Sequence, residues 1–275
     1  MSPVTHRAAV LGQPIEHSLS PVLHNAGYRA LGLDDWGYGR FDCSAEQLPG
    51  LVSGADENYA GFSVTMPGKF AALEFATEST ERARDIGSAN TLVRIPGGWR
   101  ADNTDCDGIA GALTELVGGD LDGIGHVLLI GGGGTARPAL WTLAAAGVGE
   151  VTVLNRSDRT EELRPLATRR GAQFRMVDFS ADLAAIAAEV DLIVSTVPAA
   201  SVAGHERDLA HAPVFDVIYD PWPTPLTVQA AANGYRTVGG HVMLAHQAYG
   251  QFEQFTGRAA PREAMWQALQ TALQE

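Results

Sequence analysis

One lysine among 18 arginines singles out Lys69. Arginine serves wherever this chain needs a fixed cation, whereas a primary amine can be made by its surroundings to release a proton. Such a count also arises by chance, so the neighbouring residues have to carry the argument. Lys69 ends the stretch Thr65-Met66-Pro67-Gly68-Lys69, which directly follows an apolar run, Ala60 to Val64. Asp105 is the carboxylate expected to partner it, within Asp102-Asn103-Thr104-Asp105-Cys106-Asp107-Gly108. Asp102 and Asp107 suit a surface turn or a helix cap. The spacing of Asn103, Asp105, Asp107 and Gly108 imitates a calcium loop, but Thr114 stands where that loop needs glutamate. No metal is expected. His241 and His246 are five apart, off the i,i+4 spacing of a helical metal pair, and His17 and His24 suit packing or surface positions.

A second constellation is Val127-Leu128-Leu129-Ile130-Gly131-Gly132-Gly133-Gly134-Thr135-Ala136-Arg137. Four apolar residues stopped by glycine predict a strand buried on both faces. The glycines allow a sharp turn and a close approach to a ligand. The helix expected from Pro138 onward points its free N–H groups back at that turn. Strand, glycine turn and helix N-terminus make a pyrophosphate site, with Gly131 and Gly133 in two fingerprint positions and Ala136 in the third. Beyond the next strand stands Asn155-Arg156-Ser157-Asp158-Arg159, where an NAD site would carry an acid for the ribose 2′-hydroxyl. Arg156 favours a 2′-phosphate instead, and hence NADP, with Asp158 working weakly against it.

Three further places offer polar contacts. Ser20-Pro21 predicts a helix start with Ser20 as cap and Val22, Leu23, Ala26 and Ala30 as buried stripe; Ser18 has no local duty, so the two hydroxyls form a candidate carboxylate site. Tyr219-Asp220-Pro221-Trp222-Pro223-Thr224-Pro225 is stiffer than a connector needs. Gln247 follows Met243 by one helical turn on the same face.

The elements that must position these residues read as α/β throughout. Strands near 8–11, 36–41 and 60–64 alternate with helices, and a hairpin turns at Pro96-Gly97-Gly98. Ser44-Ala45-Glu46-Gln47 has a capping-box pattern. From Gly123, strands at 127–130, 151–154, 173–177, 191–195 and 214–218 alternate with helices and predict a doubly wound parallel sheet. The last helices run from Gly240 to Phe255 and from about Arg262 to Leu273. A length of 275 residues suggests about two domains. The net charge of −13 lacks the basic face that nucleic acid or an anionic membrane requires. No apolar run approaches the roughly 18 residues of a membrane span, and two cysteines give no disulfide framework. A cytoplasmic enzyme with a small-molecule substrate, as monomer or homodimer, is expected.

Taken together, these stretches resemble the shikimate dehydrogenases nearly end to end. The resemblance rests on Ser18-Leu19-Ser20-Pro21, Ser63-Val64-Thr65-Met66-Pro67-Gly68-Lys69, Ala89-Asn90-Thr91, Asp102-Asn103-Thr104-Asp105, the glycine turn, Asn155-Arg156-Ser157, Tyr219 to Leu226, and Met243 to Gln247. It implies reversible NADPH-dependent reduction of 3-dehydroshikimate to shikimate, on the route to chorismate and the aromatic amino acids. It implies that Ser18 and Ser20, with Tyr219, hold the substrate carboxylate. Thr65, Lys69, Asn90, Asp105 and Gln247 would hold the ring hydroxyls and the reacting oxygen, Lys69 transferring the proton. Gly131, Gly132, Gly133, Gly134, Thr135, Ala136, Asn155, Arg156, Ser157, Arg159, Val217 and Gly240 would line NADP, with Glu81 near the nicotinamide. The loop after Arg156 is a residue shorter than in many relatives, and His241-Val242 follow Gly240 where relatives often carry another glycine. The implied fold is a substrate domain of residues 1–107 completed by 240–275, around a Rossmann-like NADP domain of residues 108–239. An NAD-linked quinate/shikimate dehydrogenase and a catalytically silent NADPH-binding regulator are the alternatives. The first would have an acid in place of Arg156, and the second has no need of Lys69 and Asp105 together.

Overall fold

The structure, a computed structural model, describes residues 3–274. The chain divides into two compact units, one of residues 1–104 with 244–275 and one of residues 105–243.

The first unit carries β1 (His6–Gly12), α1 (Ser20–Ala30), β2 (Trp36–Asp42), α2 (Leu48–Ser53), β3 (Tyr59–Val64), α3 (Lys69–Phe75), β4 (Glu78–Ser79), α4 (Glu81–Ile86), β5 (Thr91–Ile95) and β6 (Gly98–Asp102). The strands form one sheet in the order β2-β1-β3-β5-β6-β4, parallel at β2-β1-β3 and antiparallel at β3-β5-β6. Alternation along β1 sorts its side chains onto two apolar cores. Ala8 and Val10 pack with Leu23 and Tyr28 of α1, while Ala9 and Leu11 pack with Phe62, Leu92 and Trp99. The first core is completed from the far end of the sequence by Phe252, Phe255, Met265 and Leu269.

Three expectations for α1 need correcting. Ser20 is the first helical residue rather than the cap, which falls on Leu19 without a side-chain bond. Ser18, expected to have no local duty, accepts the Ser20 N–H at 3.4 Å, so the capping serine is two residues earlier than Ser-Pro chemistry suggests. The buried face is Leu23, His24, Ala26, Gly27 and Tyr28, with Ala30 exposed and Val22 half-buried. Around α2 the reciprocal box is present: Ser44 N–H donates to Gln47 Oε1 at 2.9 Å and Gln47 N–H to Ser44 Oγ at 3.4 Å.

The second unit begins with α5 (Asp105–Val117) and continues through β7 (His126–Ile130), α6 (Ala136–Ala145), β8 (Glu150–Leu154), α7 (Thr160–Thr168), β9 (Gln173–Val177), α8 (Leu183–Ala188), β10 (Leu192–Ser195), α9 (Glu206–Leu209), β11 (Val214–Asp216), α10 (Pro225–Ala232) and β12 (Thr237–Gly239). Its sheet is parallel throughout, in the order β12-β11-β10-β7-β8-β9, the doubly wound arrangement. The strand expected at 214–218 stops at Asp216, and the short β12 was not foreseen. α11 (Gly240–Thr256) and α12 (Arg262–Ala272) end the chain; the unit boundary falls within the first turn of α11. Among the described residues no helix is long and apolar enough to cross a membrane.

Candidate active site

In the first unit the strand ends converge on Asn90. Its carbonyl accepts the Val64 N–H at 2.7 Å, and its own N–H donates to Asp102 O at 3.1 Å, so β3 and β6 fix its backbone from two sides. Its side-chain Oδ1 accepts from Thr91 Oγ1 at 2.8 Å and from the Thr104 N–H at 2.7 Å. Its Nδ2 donates to Thr104 Oγ1 at 3.0 Å and, at 3.4 Å, toward Gln247 Oε1. Gln247 is itself held by its Nε2, which donates to Leu244 O at 3.0 Å. Asn90, Thr91 and Thr104 are buried almost completely and Gln247 nearly so. Water therefore cannot replace a missing partner here, and each of these bonds is costly to break.

Lys69 opens α3 beside this cluster, its carbonyl accepting the Ala89 N–H at 2.9 Å. Thr65 lies at the end of β3, where its N–H donates to Leu11 O at 2.8 Å; the Thr65 carbonyl closes the turn by accepting the Gly68 N–H. Gly12 leaves room for it, since a Cβ there would stand 2.3 Å from Thr65 Cγ2. Ser18 and Ser20 lie at the start of α1, Ser20 buried and Ser18 half-buried. Asp105, buried, opens α5 and follows Thr104 directly. Glu81 is exposed at the first position of α4.

Asp102 departs from the surface role expected of it. It is 3% exposed and accepts from Arg82 at 2.6 and 2.7 Å, Thr80 at 2.7 Å, Gln254 at 2.7 Å and the Asn103 N–H at 2.8 Å. Burial alone would raise its carboxyl pKa, but the bidentate Arg82 guanidinium outweighs burial and holds it at about 2. This ion pair anchors the strand end from which Asn103, Thr104 and Asp105 follow.

In the second unit the glycine turn lies at the end of β7, beside β10, where the strand order reverses. Gly131 has φ +111°, and a Cβ there would meet Thr196 Oγ1 at 2.5 Å. Gly132 faces Asn155 and Arg159, whereas Gly133 and Gly134 have nothing within 4 Å of a built Cβ. Thr135 makes no side-chain cap bond, which leaves the first N–H groups of α6 directed at that open space. Ala136 is fully buried, as close helix packing requires. The helix starts there, two residues before the expected Pro138. These features suit a dinucleotide pyrophosphate.

A concavity of about 350 Å³ at the ends of β8 and β9 is lined by Asn155, Arg156, Ser157, Thr160, Met176 and Asp178, among others. Arg156 and Ser157 are exposed. Asn155 donates to Ser157 O at 2.8 Å, which shapes the loop. The two acids in this wall are exposed and each bonds within its own turn, Asp158 accepting the Thr160 N–H and Asp178 the Ser180 N–H, each at 2.8 Å. Arg159 pairs with Glu162 at 2.7 Å. Arg156 therefore remains the cation best suited to a phosphate in this concavity. Gly240 and Val217 meet backbone to backbone: the Gly240 N–H donates to Ile218 O at 3.0 Å, and a Cβ at 240 would stand 1.8 Å from the Val217 carbonyl. Tyr219 is half-buried, its hydroxyl pKa raised by burial and then by Asp220.

Sequence reasoning missed Thr91 and Thr104, which orient Asn90, and Ser63 and Gln251, which stand behind it. Among the described residues no group of three or more His, Cys, Asp or Glu could hold a metal.

The profile of the shikimate dehydrogenase substrate binding domain matches residues 10–92, that of shikimate / quinate 5-dehydrogenases residues 117–214, and that of the shikimate 5′-dehydrogenase C-terminal domain residues 240–270. The crystal structure of Mycobacterium tuberculosis shikimate dehydrogenase is 51% identical with a TM-score of 0.91, covering 97% of this chain and 99% of that one. Shikimate 5-dehydrogenase of Thermus thermophilus, solved in complex with NADP(H) and shikimate, is 30% identical with a TM-score of 0.82, covering 97% and 99%. The shikimate dehydrogenase (NADP(+)) of Citrifermentans bemidjiense is 38% identical over 98% of this chain and 96% of its own length. Pentafunctional AROM polypeptides of Saccharomyces cerevisiae match 94% of this chain at 34% identity, and the chain spans 17% of their length. Similarity that runs through both units, and along nearly the full length of the first three of these proteins, places the chain in the shikimate dehydrogenase family.

Proposed function

We propose that this protein catalyses the reversible reduction of 3-dehydroshikimate to shikimate with NADPH, in the pathway to chorismate and the aromatic amino acids. The observation that carries the reading is the fixed Asn90 amide, with Gln247 within reach of it and Lys69 at the start of the adjoining helix. The Thermus relative in complex with NADP(H) and shikimate supports it.

In this reading residues 1–107 with 240–275 handle substrate and residues 108–239 handle the cofactor. Ser18, Ser20 and Tyr219 hold the substrate carboxylate, and Thr65, Asn90 and Gln247 take the ring hydroxyls. Bound NADPH supplies the hydride that reduces the carbonyl carbon. Negative charge then develops on the carbonyl oxygen. Lys69 meets that charge with an ammonium and delivers the proton, two tasks that a guanidinium cannot combine. Asp105 orients the amine for transfer. The backbone from Gly131 to Ala136, with Thr135, takes the pyrophosphate, and Arg156 takes the 2′-phosphate, assisted by Asn155, Ser157 and Arg159. Val217 and Gly240 border the nicotinamide, with Glu81 near it.

Two buried cysteine thiols, Cys43 and Cys106, suit a reducing compartment, and we place the enzyme in the cytoplasm as a monomer or homodimer. Initial rates with shikimate and quinate, each with NADP+ and NAD+, test the reading. Shikimate with NADP+ should give the highest kcat/KM. A preference for quinate with NAD+ would overturn it, and no turnover of either would indicate a binding protein.

A further inference from the structure

Gln251 lies one turn beyond Gln247 on α11 and is 1% exposed. Its Nε2 donates to the Asn90 main-chain oxygen and to Thr91 Oγ1, both at 3.1 Å. Its Oε1 accepts from Ser63 Oγ at 2.7 Å, and Ser63 in turn accepts from the Tyr38 hydroxyl at 2.6 Å. The direction of this chain is forced. A main-chain carbonyl only accepts, so the Gln251 atom facing Asn90 must be the nitrogen. Its oxygen then faces Ser63, which gives its proton to Gln251 and takes one from Tyr38. Thr91, accepting from Gln251, has its own proton free for Asn90 Oδ1 at 2.8 Å. The Thr104 N–H, also a fixed donor, points to the same oxygen at 2.7 Å. The Asn90 nitrogen is therefore the atom left to face Thr104 Oγ1 and Gln247.

From this relay we propose that Gln251 is a positioning residue for substrate recognition: through Thr91, and together with the Thr104 N–H, it holds the Asn90 amide firmly in the orientation presented to the substrate hydroxyls. The proposal rests on the assignment of Asn90 to the substrate given above. Without the Gln251 amide, Thr91 loses the donor that fixes its proton, and the Thr104 N–H is left as the only fixed donor holding the Asn90 amide oxygen. The amide keeps its sense but is held less firmly, so the donor it offers is less well aligned with the substrate hydroxyl.

Gln251→Met keeps length and apolar bulk while removing both amide atoms. KM for shikimate should rise about tenfold, the size of one neutral hydrogen bond at the upper end of its range. KM for NADP+ and the dissociation constant for NADPH should stay within twofold. In an Asn90→Ala background, Gln251→Met should add less than twofold, because its effect passes through Asn90. Ser63→Ala, a smaller change that leaves Gln251 in place, should give the same split at about threefold, and it serves if Gln251→Met cannot be purified folded. Equal losses toward shikimate and NADP+, or full additivity with Asn90→Ala, would make Gln251 a packing residue only. If Asn90→Ala raises KM for shikimate and Gln251→Met and Ser63→Ala do not, the relay is overturned while the assignment of Asn90 stands. If Asn90→Ala leaves KM for shikimate unchanged, that assignment fails and the positioning role fails with it.

Discussion

Around Asn90 every polar atom of the side chain and backbone has a buried partner, whereas the groups offered to a phosphate in the second unit are backbone N–H groups at an open turn and an exposed arginine. The first arrangement is fixed on folding and keeps its geometry with no ligand present, because burial penalises any other. The second has no such reason to be ordered by side chains. It relies on a glycine backbone that only one conformation permits at Gly131, and on charge. Substitutions in the buried half should therefore affect stability and catalysis together, and those in the exposed half should affect ligand affinity alone.

The largest effect expected on the buried side is truncation. A chain ending at Gly239 loses Phe252, Met265 and Leu269, each fully buried in the first unit's core, together with Gln247. Removal of a single such side chain costs roughly 2–5 kcal/mol, against a total stability of about 5–15 kcal/mol. Activity should disappear and the truncated chain should bind a hydrophobic dye; a soluble, active truncation would break the comparison.

Next in size is Lys69, half-buried at the head of α3. Lys69→Ala should lower kcat by about 10²–10⁴-fold, as loss of a general acid does, with the NADPH dissociation constant unchanged. Lys69→Arg should be nearly as impaired, since charge remains without a transferable proton. An active Lys69→Arg enzyme would mean that the amine only binds, and Asp105 would be the next candidate.

On the exposed side, Arg156→Ala should weaken NADPH use by about ten- to a hundredfold, the equivalent of roughly 1.5–3 kcal/mol for a charge-assisted bond. NADH use and the urea midpoint should stay unchanged. Loss of stability in this variant would show that the exposed half is not built as described.

A last test, read in stability rather than turnover, sharpens the buried half. His24 is fully buried, its ring 4.1 Å from that of Tyr38, with neither ring nitrogen hydrogen-bonded. Burial lowers its pKa from 6.5 to about 3, an effect that the nearby Gln251 side chain only partly offsets. Below pH 6.5 the unfolded chain takes up a proton that the folded chain refuses. This contribution to stability is thus complete above 6.5 and declines as pH falls toward 3, by about 1.4 kcal/mol per unit within the window. His24→Phe should remove that part of the slope in urea unfolding between pH 6.5 and 4.5; an unchanged slope would show that the ring takes up its proton equally in both states.

Much of the second unit was legible in sequence because its central strands β7 and β10 are apolar runs and its turn is made of glycine, a residue chosen for backbone reasons. Gly131 at φ +111° and Ala136 against the sheet are positions where only one or two residue types fit. The first unit was legible at its strands and at Lys69, but not in its polar interior. Ser63 and Gln251 are 188 positions apart, and nothing local in either stretch announces that they meet. Asp102 looked like a turn residue because its partner Arg82 lies 20 positions upstream on another element. His24, read as a packing or surface residue, is fully buried, whereas Ala30, placed on the buried stripe, is exposed at the last position of α1, where the helix ends.

The solitary lysine has a consequence for observation as well as for chemistry. Growth on lysine labelled with 15N at Nζ puts a single reporter nucleus into the whole chain, at the head of α3. Its resonance would need no assignment and would have no neighbours to overlap it. Protonation of the amine could then be followed by titration with and without shikimate, on the unmodified protein and without substitution or optical probe.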